Sequence, residues 1–155
     1  MTNYIIFYSR YDIIWITDVI KVKKVIGIII GKCALFLGKR LHRGSSLPGS
    51  IALKIDPDLN KKFRYPKQII AVTGSSGKGS ITGMLADILR DHGYKVAHNA
   101  KGSNLNFGIT TMLLENCSLT GKINADIIIA EVDERYAKYV FPTLKPNYVV
   151  ISNIT

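Results

Sequence analysis

Residues 68–91 read QIIAVTGSSGKGSITGMLADILRD, and the architecture turns on them. The run QIIAVT is short and apolar and lies between Pro66 and Gly74, which reads as a buried strand over residues 68–73. Past the glycine-rich turn, Ile81, Met84, Leu85, Ile88 and Leu89 recur at the i, i+3, i+4, i+7, i+8 spacing of an amphipathic helix over residues 80–91. Gly93 ends that helix. A strand running into a glycine-rich turn and then a helix is the setting in which a loop cradles phosphate. Backbone N–H groups turn inward, and the helix N-terminus adds its own unsatisfied N–H groups and positive dipole end.

The turn departs from the spacing G-x-x-x-x-G-K-[ST] twice. Val72 stands where the first glycine belongs, and Gly79 where the hydroxyl belongs. Gly74, Ser75, Ser76, Gly77, Lys78, Gly79 and Ser80 therefore read as a shortened nucleotide loop. Lys78 is the candidate catalytic cation, reaching phosphate as a point charge. Ser80, one place later than usual, is the candidate hydroxyl for Mg²⁺.

Further strands follow at residues 95–98, 125–132 and 147–152, with a short helix at 109–115. Strands alternating with helices imply an α/β fold, a parallel sheet with flanking helices. The apolar run IIIAE places Glu131 at a strand tip on the same edge as the loop, making it the second candidate Mg²⁺ ligand. Asp133 and Glu134 lie further out and read as solvated. The polar loop 99–108, NAKGSNLNFG, also falls on that edge, and its Asn99, Lys101 and Asn104 are candidate contacts for an acidic substrate or phosphate.

The chain has 155 residues, about one domain's worth, and its composition is ordinary for a globular protein. Cys33 and Cys117 lie far apart with no C-x-x-C spacing, against a disulfide framework or a zinc site here. The net charge of +10 is uneven: residues 1–65 hold 12 Lys/Arg against 4 Asp/Glu, and residues 66–155 hold 9 against 7. No RNA-binding signature accompanies the basic N-terminal segment, so nucleic acid is not the expected partner.

Within residues 1–65, an apolar helix over 22–43 has basic flanks. It reads either as a core-packing helix with snorkelling lysines or as a helix at a membrane interface, a peripheral membrane contact. Residues 1–21 have no assignment. RGSSLPGS at 43–50 reads as a loop.

The shortened loop Gly74-Ser-Ser-Gly-Lys78, the asparagine at Asn104, the strand-end Glu131 and the closing SNIT resemble the Mur ligase superfamily, the ATP-dependent amide-forming ligases of peptidoglycan and folate metabolism. The resemblance covers residues 68–155 and implies a partial, P-loop central ATP-binding domain over 66–155. Across residues 25–155, phrases such as YKVAHNAKGSN and EVDERYAKYVFPTLKPNYVV are similar to the ligase-type subunit of lipid II isoglutaminyl synthase.

That branch implies ATP and Mg²⁺ as cofactors, a glutaminase subunit as partner, and a lipid-linked acceptor at the cytoplasmic face of the membrane. It also implies a histidine metal ligand, adenine-binding residues and a cysteine-ligated zinc insertion beyond Thr155, and a chain that turns over little substrate alone. The ending GKGS is similar instead to folylpolyglutamate synthases. A nucleotide-binding module without catalysis is the third reading.

Overall fold

A computed structural model describes residues 10–40, 46–99 and 105–153. Lys101 and Asn104 lie outside these residues. In chain order the elements are helix α1 (Arg10–Arg40), helix α2 (Leu47–Ile55), a 3-10 turn (Leu59–Lys62), strand β1 (Gln68–Thr73), helix α3 (Lys78–Asp91) and strand β2 (Val96–His98). Helix α4 (Asn106–Asn116), strand β3 (Ile127–Glu131), helix α5 (Ala137–Leu144) and strand β4 (Tyr148–Ile151) complete them.

The four strands form one parallel sheet in the order β2–β3–β1–β4. Each strand has period-two side chains, so the sheet has two distinct faces. Ile69, Ala71, Ile128 and Ala130 point to a face covered by α4 and α5, with Ile28 of α1 and Leu53 of α2 in the same core. Val72, Ile127 and Ile129 point to the other face, beneath Ala86 of α3. Burying a side chain the size of Ile128 or Ile129 stabilises by about 1.5–3 kcal/mol, so these continuous apolar strands anchor the fold.

Helix α3 begins two residues earlier than its apolar spacing suggests. It meets the sheet through the buried Thr82 and Ala86, with Ile81, Leu85 and Leu89 alongside, while Met84 and Ile88 are exposed. Small residues on the contact line let the helix come close to the strands, which turns two members of the apolar stripe outward.

The segment read as a loop at 43–50 is helical from Leu47. Pro48 falls in the first turn of α2, where a missing N–H costs nothing. Gly49 explains the composition: a Cβ there would stand 2.0 Å from Phe107 O and 2.8 Å from Thr111 Oγ1. The Gly49 N–H donates to Thr111 Oγ1 at 2.9 Å. The glycine lets α2 and α4 touch backbone to backbone.

Helix α1 starts at Arg10, within the stretch that sequence reading leaves unassigned, and runs unbroken to Arg40. Its polarity is the reverse of an ordinary surface helix. Ile28 is fully buried against the domain, and on that side Lys24 and Lys32 are half-buried while Lys39 is exposed. The Lys24 side chain lies over Gly121, Lys32 Nζ donates to Leu114 O at 2.8 Å, and Lys39 Nζ pairs with Glu115 Oε1 at 3.0 Å. Lys32 and Lys39 thus meet the C-terminal end of α4, where the helix dipole favours positive charge. Among the described residues no helix is long and apolar enough to cross a membrane.

Candidate active site

The C-terminal ends of β1 and β3 lie side by side, with Val72 in register with Glu131. Beyond β1 the loop 74–77 is tied to the residues after β4. Ser75 N–H donates to Asn153 O at 2.9 Å, and Ser76 N–H donates to Asn153 Oδ1 at 2.9 Å. Asn153 Nδ2 donates to Ser76 Oγ at 3.1 Å, and Ser152 Oγ donates to Ser76 O at 2.6 Å.

This crossing explains Gly74. Its φ is 130°, and a Cβ there would stand 2.3 Å from Ser152 Oγ. Gly77, with φ of 77°, caps α3, and Ile81 N–H makes the helix's first bond back to Gly77 O. The N–H groups of Lys78, Gly79 and Ser80 form the first turn, where a helix has no internal acceptors for its donors.

Lys78 is buried although it carries a charge. Its Nζ donates to Gly74 O, and lies 3.5 Å from Ser75 O and 3.4 Å from Glu134 Oε2. The lysine is folded back over its own loop, with Glu134 as its ionic neighbour. Glu134 is thus no mere solvated carboxylate.

Asp133 is buried, not solvated as its position suggested. Arg135 grips it with Nε and an Nη, both at 3.0 Å, and this fork holds the Asp133 carboxyl below the usual carboxylate range.

Glu131 is buried at the tip of β3, and burial pushes its carboxyl above the usual range while the Lys78 cation opposes the shift. Its backbone is gripped by Asn99: Glu131 N–H donates to Asn99 Oδ1, and Asn99 Nδ2 donates to Glu131 O, both at 2.8 Å. The β2–β3 pairing ends at His98, and the Asn99 side chain supplies one more rung. Without it the Glu131 N–H and C=O would be buried and unpaired on that side. Asn99 therefore reaches the site through the backbone of Glu131.

A Cβ added at Gly79 would meet one atom within 4 Å, Glu131 Oε2 at 3.5 Å. The side-chain direction facing the carboxylate is thus that of residue 79, with Ser80 exposed one position on. Among the described residues no three His, Cys, Asp or Glu gather as a metal cluster. The donor set here, one carboxylate beside helix N–H groups and a lysine, suits Mg²⁺ that takes its remaining ligands from phosphate and water.

The family model described as the Mur ligase middle domain matches residues 72–155, from the C-terminal end of β1 through the residues that tie the loop. The chain belongs to the Mur ligase middle domain family. In Streptococcus pneumoniae, the lipid II isoglutaminyl synthase (glutamine-hydrolyzing) subunit MurT is 35% identical over 133 residues, 85% of this chain and 29% of that protein. The Staphylococcus aureus subunit of the same name is 28% identical over 79% of this chain and 26% of that protein. The chain spans less than a third of the length of the curated relatives it matches. MurF from Acinetobacter baumannii superposes with a TM-score of 0.45 at 20% identity, over 68% of this chain and 22% of that one.

Of the residues that sequence reading singled out in this Mur ligase middle domain, Lys78 and Glu131 both lie buried at one sheet edge. It missed Asn153 as the residue that binds the loop and Glu134 as the neighbour of Lys78.

Proposed function

We propose that the chain is the nucleotide-binding part of an ATP-dependent amide-forming ligase of peptidoglycan precursor synthesis. Its acceptor is the glutamate carboxyl in the peptide of lipid II, and its ammonia comes from a glutaminase subunit. The reading of acceptor and partner is supported by the MurT relatives, which are glutamine-hydrolyzing lipid II isoglutaminyl synthase subunits. The observation that carries the nucleotide reading is a buried lysine opening α3 at the same sheet edge as the buried Glu131.

In the reaction, a carboxylate oxygen attacks the γ-phosphorus and the bond to ADP breaks, leaving an acyl phosphate. Ammonia then attacks the acyl carbon, phosphate departs with the C–O electron pair, and loss of a proton from nitrogen leaves the amide. The N–H groups of Lys78, Gly79 and Ser80 bind phosphate oxygens, with Gly74, Ser75, Ser76 and Gly77 shaping the loop beneath them. Lys78 exchanges Gly74 O and Glu134 for phosphate and stabilises the charge that builds on the transferring group. Glu131 and Ser80 would hold Mg²⁺, which neutralises phosphate charge. Asn99 positions Glu131, and Lys101 and Asn104 meet the acidic acceptor. In this reading residues 66–155 belong to the middle domain and residues 1–65 form a basic segment beside it, at the cytoplasmic face of the membrane.

The test is binding of ATP with Mg²⁺ by calorimetry. Lys78→Ala weakens it by one to two orders of magnitude, as expected from losing a charge-assisted bond of about 1.5–3 kcal/mol. Unchanged affinity in that variant would remove the nucleotide assignment.

A further inference from the structure

The outward face of α1 has no partner among the described residues, and it is apolar. Val19, Val22, Ile26, Ile29, Ile30, Phe36 and Leu37 recur at spacings of three, four and seven and so share one side of the helix. All are exposed, Val22 by 55%, Phe36 by 65% and Leu37 by 57%. A soluble helix normally turns such residues inward and its lysines outward. Here Lys24, Lys32 and Lys39 are spent on the domain, so the apolar face is what the helix presents.

We infer that this face docks onto the surface of an anionic lipid bilayer, lying in the interface without spanning it. Charge selects the occupant. From Val19 to Arg40 the helix has no Asp/Glu, and of its Lys/Arg residues Lys24, Lys32 and Lys39 reach the domain while Lys23 and Arg40 are exposed beside and at the end of the apolar stripe. An apolar stripe bordered by cations matches acyl chains beneath negatively charged headgroups. The absence of any described helix long and apolar enough to cross a membrane fits a helix that lies flat. The rest of the domain, held to α1 through Ile28 and the inward lysines, takes the place of the solvent-facing side of a free interfacial helix.

The inference uses no part of the nucleotide reading, and Lys78→Ala is expected to bind lipid as the unaltered protein does. The experiment is flotation of the full-length protein with vesicles of phosphatidylglycerol in phosphatidylcholine, against phosphatidylcholine alone. The expected result is binding that needs phosphatidylglycerol, falls with added salt, and weakens about tenfold or more in the double variant Ile26→Glu, Phe36→Glu. Both positions are solvent-exposed, so the fold should survive, as a thermal unfolding curve will report. Met84→Glu, equally exposed but on α3 across the sheet, should bind as the unaltered protein does. No flotation, flotation indifferent to phosphatidylglycerol, or equal loss in Met84→Glu overturns the inference. So does a double variant that still floats but loses a protein partner, which would assign the face to that protein.

Discussion

Asn153 holds Ser76 with both atoms of its amide: Oδ1 accepts the Ser76 N–H at 2.9 Å, and Nδ2 donates to Ser76 Oγ at 3.1 Å. The glycine-rich loop is therefore held by a residue 77 positions away in sequence. Replacing Asn153 by Ala removes these bonds while leaving Lys78 in place. ATP affinity should fall about fivefold to tenfold, the weight of one or two net hydrogen bonds. Asn153→Asp, which keeps the acceptor, should lose less. Titration calorimetry on the three proteins checks the order.

Gly79 leaves open space in front of Glu131. Gly79→Ser places a hydroxyl toward Oε2 without a clash, and should strengthen the Mg²⁺ dependence of ATP binding by about threefold to tenfold. Gly79→Ala is the control. It gains helix propensity but no oxygen, and should leave the Mg²⁺ dependence as it is. Equal behaviour of the two variants would show that the space is not a ligand position.

Lys32 is the inward lysine with the shortest reach into the domain, 2.8 Å from Leu114 O. Lys32→Met keeps most of the side-chain volume and removes the charge-assisted bond. The chain should lose about 1–2 kcal/mol of stability by urea denaturation. A stabilised Lys32→Met would mean that the ammonium is only tolerated there.

His98 accepts a hydrogen bond at Nδ1 from Arg90 at 2.8 Å, so its ring is neutral in this arrangement. Burial and the Arg90 cation hold its pKa below the usual histidine value. The unfolded chain therefore takes up the proton first as pH falls through about 6.5, and folded-state stability declines in that window. The melting temperature should drop between about pH 7 and 5, and His98→Gln should flatten that slope.

Local signals found what local physics controls. The strand at residues 68–73 matches β1 residue for residue, because a short apolar run between Pro66 and a glycine has few other uses. Glu131 was legible because the same logic marks where the apolar run of β3 stops. The failures all involve partners distant in sequence. Leu47-Pro-Gly-Ser50 has the composition of a loop, and only contact with Phe107 and Thr111 shows why a helix carries that glycine. Asn99 reads as a polar loop residue until Glu131, 32 positions on, is seen to need its amide. The orientation of α1 was undecidable from periodicity, which reports that a stripe exists and not which side meets the protein.

The tether between Asn153 and the loop gives β4 an unexpected standing. That strand pairs with β1 and leaves Tyr148, Val149 and Ile151 exposed. Its last bond to β1 is followed directly by Ser152 and Asn153, which grip Ser75 and Ser76. Strand and loop are thus tied together by hydrogen bonds. A displacement of the sheet's rim at β4 would therefore be passed to residues 75 and 76 through the hydrogen bonds of Ser152 and Asn153.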